Sequence, residues 1–105
     1  MMNITKPFSI ALFLALILTA CGGGTSVVES GTYTGTIADV NPEEVEIYVD
    51  LDSGQQIELY FTDTTTLQRN GTEVPFSEIE TGDRVEVDVE RVGQRLDPIH
   101  VELLN

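Results

Sequence analysis

The chain has 105 residues, enough for one domain, and sets eighteen acidic residues against five basic ones, a formal net charge of −13. That balance excludes a phosphate-seeking surface, because nucleic-acid binding draws on a basic footprint that releases counterions. One cysteine excludes an internal disulfide, so the core must hold by packing alone.

In chain order, the first segment stands apart from the fold. Met1 to Lys6 carries one positive charge, and Pro7 to Leu18 is almost wholly apolar. This run is shorter than the roughly 20 residues that span a bilayer, and residues 1–20 read as a signal peptide. Leu18-Thr19-Ala20-Cys21 resembles the lipobox of bacterial lipoproteins. The resemblance implies that the chain is cut before Cys21 and that this cysteine carries acyl chains such as palmitate. Membrane lipid is then its first partner. Each buried methylene contributes about 0.8 kcal/mol, so two or three chains anchor firmly. In that family an aspartate after the cysteine marks inner-membrane retention. Gly22 stands there instead, which implies the outer membrane in an envelope that has one. After the cut, four arginines face all eighteen acidic residues, one unit more negative than the whole chain.

Residues 21–30 read as the lipidated cysteine and a flexible tether. Gly22-Gly23-Gly24 holds no single conformation cheaply, and the tether reaches roughly 15 to 18 Å. Val27 and Val28 are its only apolar residues and are the ones expected to touch the domain.

From Gly31 the pattern turns to period two, the mark of half-buried strands. Thr32 to Val40 is the first, followed by the Asn41-Pro42-Glu43-Glu44 turn. Val45 to Leu51 is the second, with Val45, Ile47, Val49 and Leu51 inward. Asp52-Ser53-Gly54 turns the chain into Gln56 to Thr62, with Ile57, Leu59 and Phe61 inward. A short strand about Leu67 meets the tight-turn pair Asn70-Gly71 and returns through Thr72 to Val74. Pro75 to Ile79 reads as one helical turn with Phe76 and Ile79 facing the core. Arg84 to Arg91 places Val85, Val87 and Val89 inward. After Gly93-Gln94 the last strand turns Ile99, Val101 and Leu103 inward. The expected fold is all-β, a small antiparallel OB-like barrel of five to seven short strands over residues 31–105.

The residues from Gly31 to Leu104 are similar to small OB-like bacterial domains of unknown function found in exported proteins and lipoproteins. Gly35-Thr36-Ile37, the threonine-rich Thr62 to Thr66 and the block Phe76-Ser77-Glu78-Ile79-Glu80-Thr81-Gly82-Asp83-Arg84-Val85-Glu86-Val87 carry the resemblance. It implies a fold and assigns no activity.

Candidate sites are few. The outer face of the second and third strands offers Tyr48 and Tyr60 with Glu46 and Glu58, a set whose two tyrosines suit stacking on a sugar or a peptide. The competing reading is cross-strand pairing that stiffens the hairpin. Asp50 and Asp52 with Gly54 approach a calcium loop. The EF-hand spacing fails at Gly54 and Phe61, so a polar turn competes. Glu86, Asp88 and Glu90 form an acidic ladder that suits a cationic protein partner. His100 is the only histidine and has neither zinc-ligand neighbours nor a serine-centred elbow. No catalytic set and no cofactor motif emerge. The expected role is a non-enzymatic binding or assembly module held at the cell envelope, with a small-ligand or divalent-cation carrier as the alternative. Nothing in the sequence fixes an oligomeric state.

Overall fold

The computed structural model describes residues 24–105, so the signal peptide and Cys21 lie outside the described residues. Seven strands follow in order: β1 (Gly31–Asn41), β2 (Glu46–Leu51), β3 (Gln56–Tyr60), β4 (Thr66–Arg69), β5 (Thr72–Glu73), β6 (Arg84–Val92) and β7 (Arg95–Leu103). A single 3₁₀ turn, Phe76–Glu78, lies between β5 and β6. The strands form one sheet in the order β3-β2-β1-β6-β7-β4-β5. Every neighbouring pair is antiparallel except β4 with β7, which run parallel. The sheet curls until β3 packs against β7 and closes the barrel without a shared ladder.

The core follows from the alternation. Ile47, Val49, Ile57, Leu59, Val85, Val87 and Val101 are fully buried, and Ile37 and Leu103 nearly so. Burying each such side chain is worth about 1.5 to 3 kcal/mol, so this inner layer dominates the stability. Phe61 and Phe76 stack edge to face at 5.0 Å over one end of the barrel.

Two inward expectations fail for physical reasons. Ile99 is 46% exposed. It is the extra residue of a bulge, since Asp88 pairs with His100 and Val89 with Pro98. The bulge reverses the phase of the strand, and Leu96 and Pro98 fill the core before it. Val45 is 40% exposed and precedes β2 in the left-handed region, at φ 51°. Its N–H donates to Pro42 and its carbonyl accepts from Phe61, so the turn closes through a residue type that strains there. A second bulge sets Ala38 out of register in β1.

The Gly-Asp block earns its place by backbone bonds. Gly82, at φ 97°, donates to the Ile37 carbonyl, and the Asp83 carbonyl accepts from the Ile37 N–H, both at 2.8 Å. The buried Asp83 carboxylate accepts from Glu80 N–H at 2.9 Å. This loop is thereby pinned to the middle of β1.

The stretch expected to be a free tether is docked over its second half. Val28 is buried in the core, and Ser26 N–H donates to the Gln56 carbonyl at 2.7 Å. Glu29 pairs with Arg91 at 2.9 Å, and Ser30 accepts from the Arg91 N–H. Apolar burial and an open strand edge on β3 draw the segment in.

Gly35 lies where β1 crosses β2 most closely. A Cβ there would meet the Asp50 carbonyl oxygen at 2.4 Å and Val49 Cγ1 at 2.9 Å. Gly35→Ala is expected to cost about 1 to 3 kcal/mol in urea unfolding. Gly24→Ala, with nothing within 4 Å, should change stability by less than about 0.5 kcal/mol.

Candidate functional site

The β2–β3 pairing builds the site. Glu46 faces Tyr60 and Tyr48 faces Glu58 in register, all four on the outer face. The sequence-predicted quartet is therefore one cluster. Tyr48 Oη donates to Glu58 Oε2 at 3.3 Å, and Asn41 Nδ2 donates to Glu46 Oε1 at 3.3 Å. Tyr48, Tyr60, Glu58 and Asn41 cover Glu46 so well that it is only 3% exposed, although it points away from the core.

A buried carboxylate needs donors. Oε2 of Glu46 has no partner among the described residues when both glutamates are ionised. A proton on Glu58 supplies one. The hydrogen bond from the Glu58 carboxyl is the main reason Glu46 lies below the ordinary carboxylate range; burial opposes it, and Tyr60, Tyr48 and Asn41 assist. The same bond to Glu46, then burial, pushes Glu58 up. The two carboxyls thus share one proton. Burial first, then the bond to Glu46, pushes Tyr48 up to about 12. Tyr60 is raised by its bonds to Glu58 and Glu46. Both phenols stay neutral at physiological pH and serve as donors and aromatic faces.

Glu58 and Tyr60 also border a recess of about 150 Å³ at the seam between β3 and β7. Thr25 to Val27 of the docked segment form one wall, and Gln94 to Leu96 form the other. Arg95 is held by Asp97 in a two-bond pair at 2.7 and 3.2 Å. Sequence reading missed this recess, because its walls come from three distant stretches.

The other candidates are placed differently. Asp50 accepts from Gln56 Nε2 at 2.9 Å. Asp52 is gripped by Arg84 at 2.8 and 2.9 Å, which holds its carboxyl below the ordinary range. The structure does not bring these two aspartates into a common cage. Among the described residues, no group of three or more His, Cys, Asp or Glu is spaced to hold a metal ion. On the opposite wall, Thr32 donates to Asp88 at 2.6 Å. His100 Nδ1 lies 2.5 Å from Thr66 Oγ1 and Nε2 lies 3.0 Å from Glu102. One neutral tautomer satisfies both contacts. The ladder Glu86, Asp88 and Glu90 gains no arginine: Arg69, Arg84, Arg91 and Arg95 pair with Glu78, Asp52, Glu29 and Asp97. A second concavity of about 520 Å³ lies near the far barrel end between Val45, Phe61, Leu67, Val74 and Phe76. Thr62, Thr65 and Glu73 add polar groups to its lining.

Solved structures share this architecture. The chain is similar to Escherichia coli CusF bound to Cu(II), with a TM-score of 0.57 and 18% identity over 73% of this chain and 94% of that one. The Ag(I) form of Escherichia coli CusF matches equally, at 0.57 and 18%. Its apo form matches at 0.55 and 17%, over 73% of this chain and 89% of that one. At this identity the likeness establishes the OB-like barrel fold. No family model matches the sequence, and no curated protein does.

The shared proton sets a pH profile. The folded-state pKa of Glu58 lies above 4.5, so its stabilising part is complete below that value and is lost as pH rises through the raised pKa. That of Glu46 lies below 4.5, so its part is present above that value and lost as pH falls through the lowered pKa. Glu58→Gln keeps a donor at every pH. At pH 8 it is expected to be more stable than the parent by about 0.2 to 1 kcal/mol, the scale of a cross-strand pair. Thermal melts from pH 4.5 to pH 8 should show the parent declining and the variant flat over this contribution.

Proposed function

We propose that this chain is an exported, non-enzymatic carrier domain that binds a cation at the Glu46–Tyr48–Glu58–Tyr60 cluster while lipid on Cys21 holds it to the envelope. One observation carries the site: the buried Glu46 sits against a second carboxyl, Glu58, and among the described residues no basic side chain pairs with either. Such a pair favours any cation that replaces its shared proton. The likeness to CusF, whose solved forms hold Cu(II) or Ag(I), supports a carrier role for the fold. The donors here differ in kind. The two methionines are Met1 and Met2, the one cysteine is Cys21 and the one histidine stands on another wall. Carboxylate and phenol oxygens do not suit the soft Ag(I) ion, which prefers thioether and thiolate.

The anchor belongs to the same proposal, and the lipobox resemblance of Leu18 to Cys21 supports it. An assembly role through the acidic surface is a second reading. It is supported by a strongly acidic surface on which each of the four arginines is already paired with a carboxylate.

Thermal shift against a panel of metal and organic cations tests the carrier role. A bound cation at 100 times its Kd adds about 2.7 kcal/mol of stability. That gain should vanish in Glu58→Gln, and a panel with no Glu58-dependent gain ends the proposal. Intact-mass measurement of the native product should show acyl chains on an N-terminal Cys21; a bare thiol or another start removes the anchor.

A further inference from the structure

Asn70-Gly71 carries chemistry that the Glu46–Glu58 cluster does not use. The two residues form the tip of the β4–β5 hairpin, at φ 55° and 80°, and both are exposed. Nothing lies within 4 Å of the place where a Cβ on Gly71 would stand, so this side of the residue is open to solvent. An asparagine carboxamide can close a five-membered ring on the nitrogen that follows it when that nitrogen carries a proton and stands unshielded. Asn41 offers no such partner, because it precedes Pro42, which has no N–H.

Two features of the fold set the rate. Ring closure needs Asn70 Cβ and the Gly71 nitrogen on the same side of the Cα–C bond, and the left-handed conformation puts them on opposite sides. The turn must therefore open first. β5 is two residues long, ends the sheet and pairs with β4 through Gln68–Glu73 and Arg69–Thr72. Val74 N–H adds one bond to the Leu67 carbonyl. So slight an edge opens at far lower free energy than the whole barrel. The second feature is Glu102 on β7, whose Oε2 accepts from the Gly71 N–H at 3.4 Å. Its bond to His100 is the main reason this carboxyl lies below the ordinary range, so it is ionised at neutral pH. Its charge opposes loss of the Gly71 proton, and its contact holds the turn shut.

We propose that Asn70 is a site of spontaneous deamidation through a cyclic imide, gated by opening of the β4–β5 hairpin and restrained by Glu102. The Gly71 nitrogen loses its proton to water and attacks Asn70 Cγ. The N–Cγ bond forms, the Cγ–Nδ2 bond breaks, and ammonia leaves with a proton. Water then opens the imide. Attack at Cγ gives aspartate, and attack at the main-chain carbonyl gives isoaspartate. Either product adds a carboxylate near Glu102. Isoaspartate also lengthens the backbone by a carbon, which a two-residue turn does not accommodate. Glu73 and Val74, which border the concavity at the far barrel end, then lose their seat.

Peptide mapping of the full chain in mild detergent, kept folded at pH 7.5 and 37 °C, tests this. Cleavage after Arg69 and Arg84 isolates residues 70–84. A synthetic peptide of residues 65–76 is the open-turn reference, and circular dichroism confirms the fold of Glu102→Gln. Support is a gain of about 1 Da in the fragment, carried by two separable products of equal mass. The gain should be at least about tenfold slower than in the peptide and at least about twofold faster in Glu102→Gln. No gain in the full chain overturns the inference, whether or not the peptide reacts. A single product overturns it too, because direct hydrolysis gives aspartate alone. A rate equal to that of the peptide removes the gate, and a rate unchanged or slowed in Glu102→Gln removes the restraint.

Discussion

A slip of one residue in the pairing of β2 with β3 would turn Ile47, Val49, Ile57 and Leu59, all fully buried, out into water. The register of this hairpin is therefore fixed by its inner face. Its outer face has no freedom left: Glu46 must lie opposite Tyr60, and Tyr48 opposite Glu58. The two glutamates are diagonal neighbours on one pleated surface, within reach of each other's carboxyls. An apolar constraint on one side of the sheet thus imposes an electrostatic contact on the other. The pair relieves that contact by sharing a proton.

The seam adds the second half of the arrangement. β3 ends the sheet, and its meeting with β7 relies on side chains rather than a ladder. An open strand edge invites pairing by stray chains. Here the segment before β1 covers part of it, through Ser26 on Gln56 and Val28 in the core. Because the cover is irregular, it leaves a gap beside Glu58 and Tyr60. A regular eighth strand would have closed that gap.

Much of this was legible in the sequence. Period-two runs gave the strands, Asn70-Gly71 gave a tight turn with both residues at positive φ, and the Phe76 to Val87 block marked the loop that Gly82 and Asp83 pin to β1. The outer quartet was legible because alternation alone puts Glu46, Tyr48, Glu58 and Tyr60 on one face. Their closeness was not, since it needs the register. Ile99 and Val45 were misplaced for local reasons: a bulge shifts the phase without leaving a distinctive residue, and a left-handed valine contradicts its own preference. The two valines of the polar stretch pointed to a contact with the domain, but they make no periodic pattern that would show how Val28 enters the core. Asp50 and Asp52 looked alike in sequence, yet the pairing of Asp52 with Arg84, 32 residues away in the chain, separates their roles.

The hydrogen bond from Ser26 to Gln56 shortens the leash. With Ser26 tied to the start of β3 and Val28 in the core, the chain enters the barrel along its seam. A force applied from the N-terminal side would load that seam, where side chains alone join β3 to β7, before it reached any strand ladder.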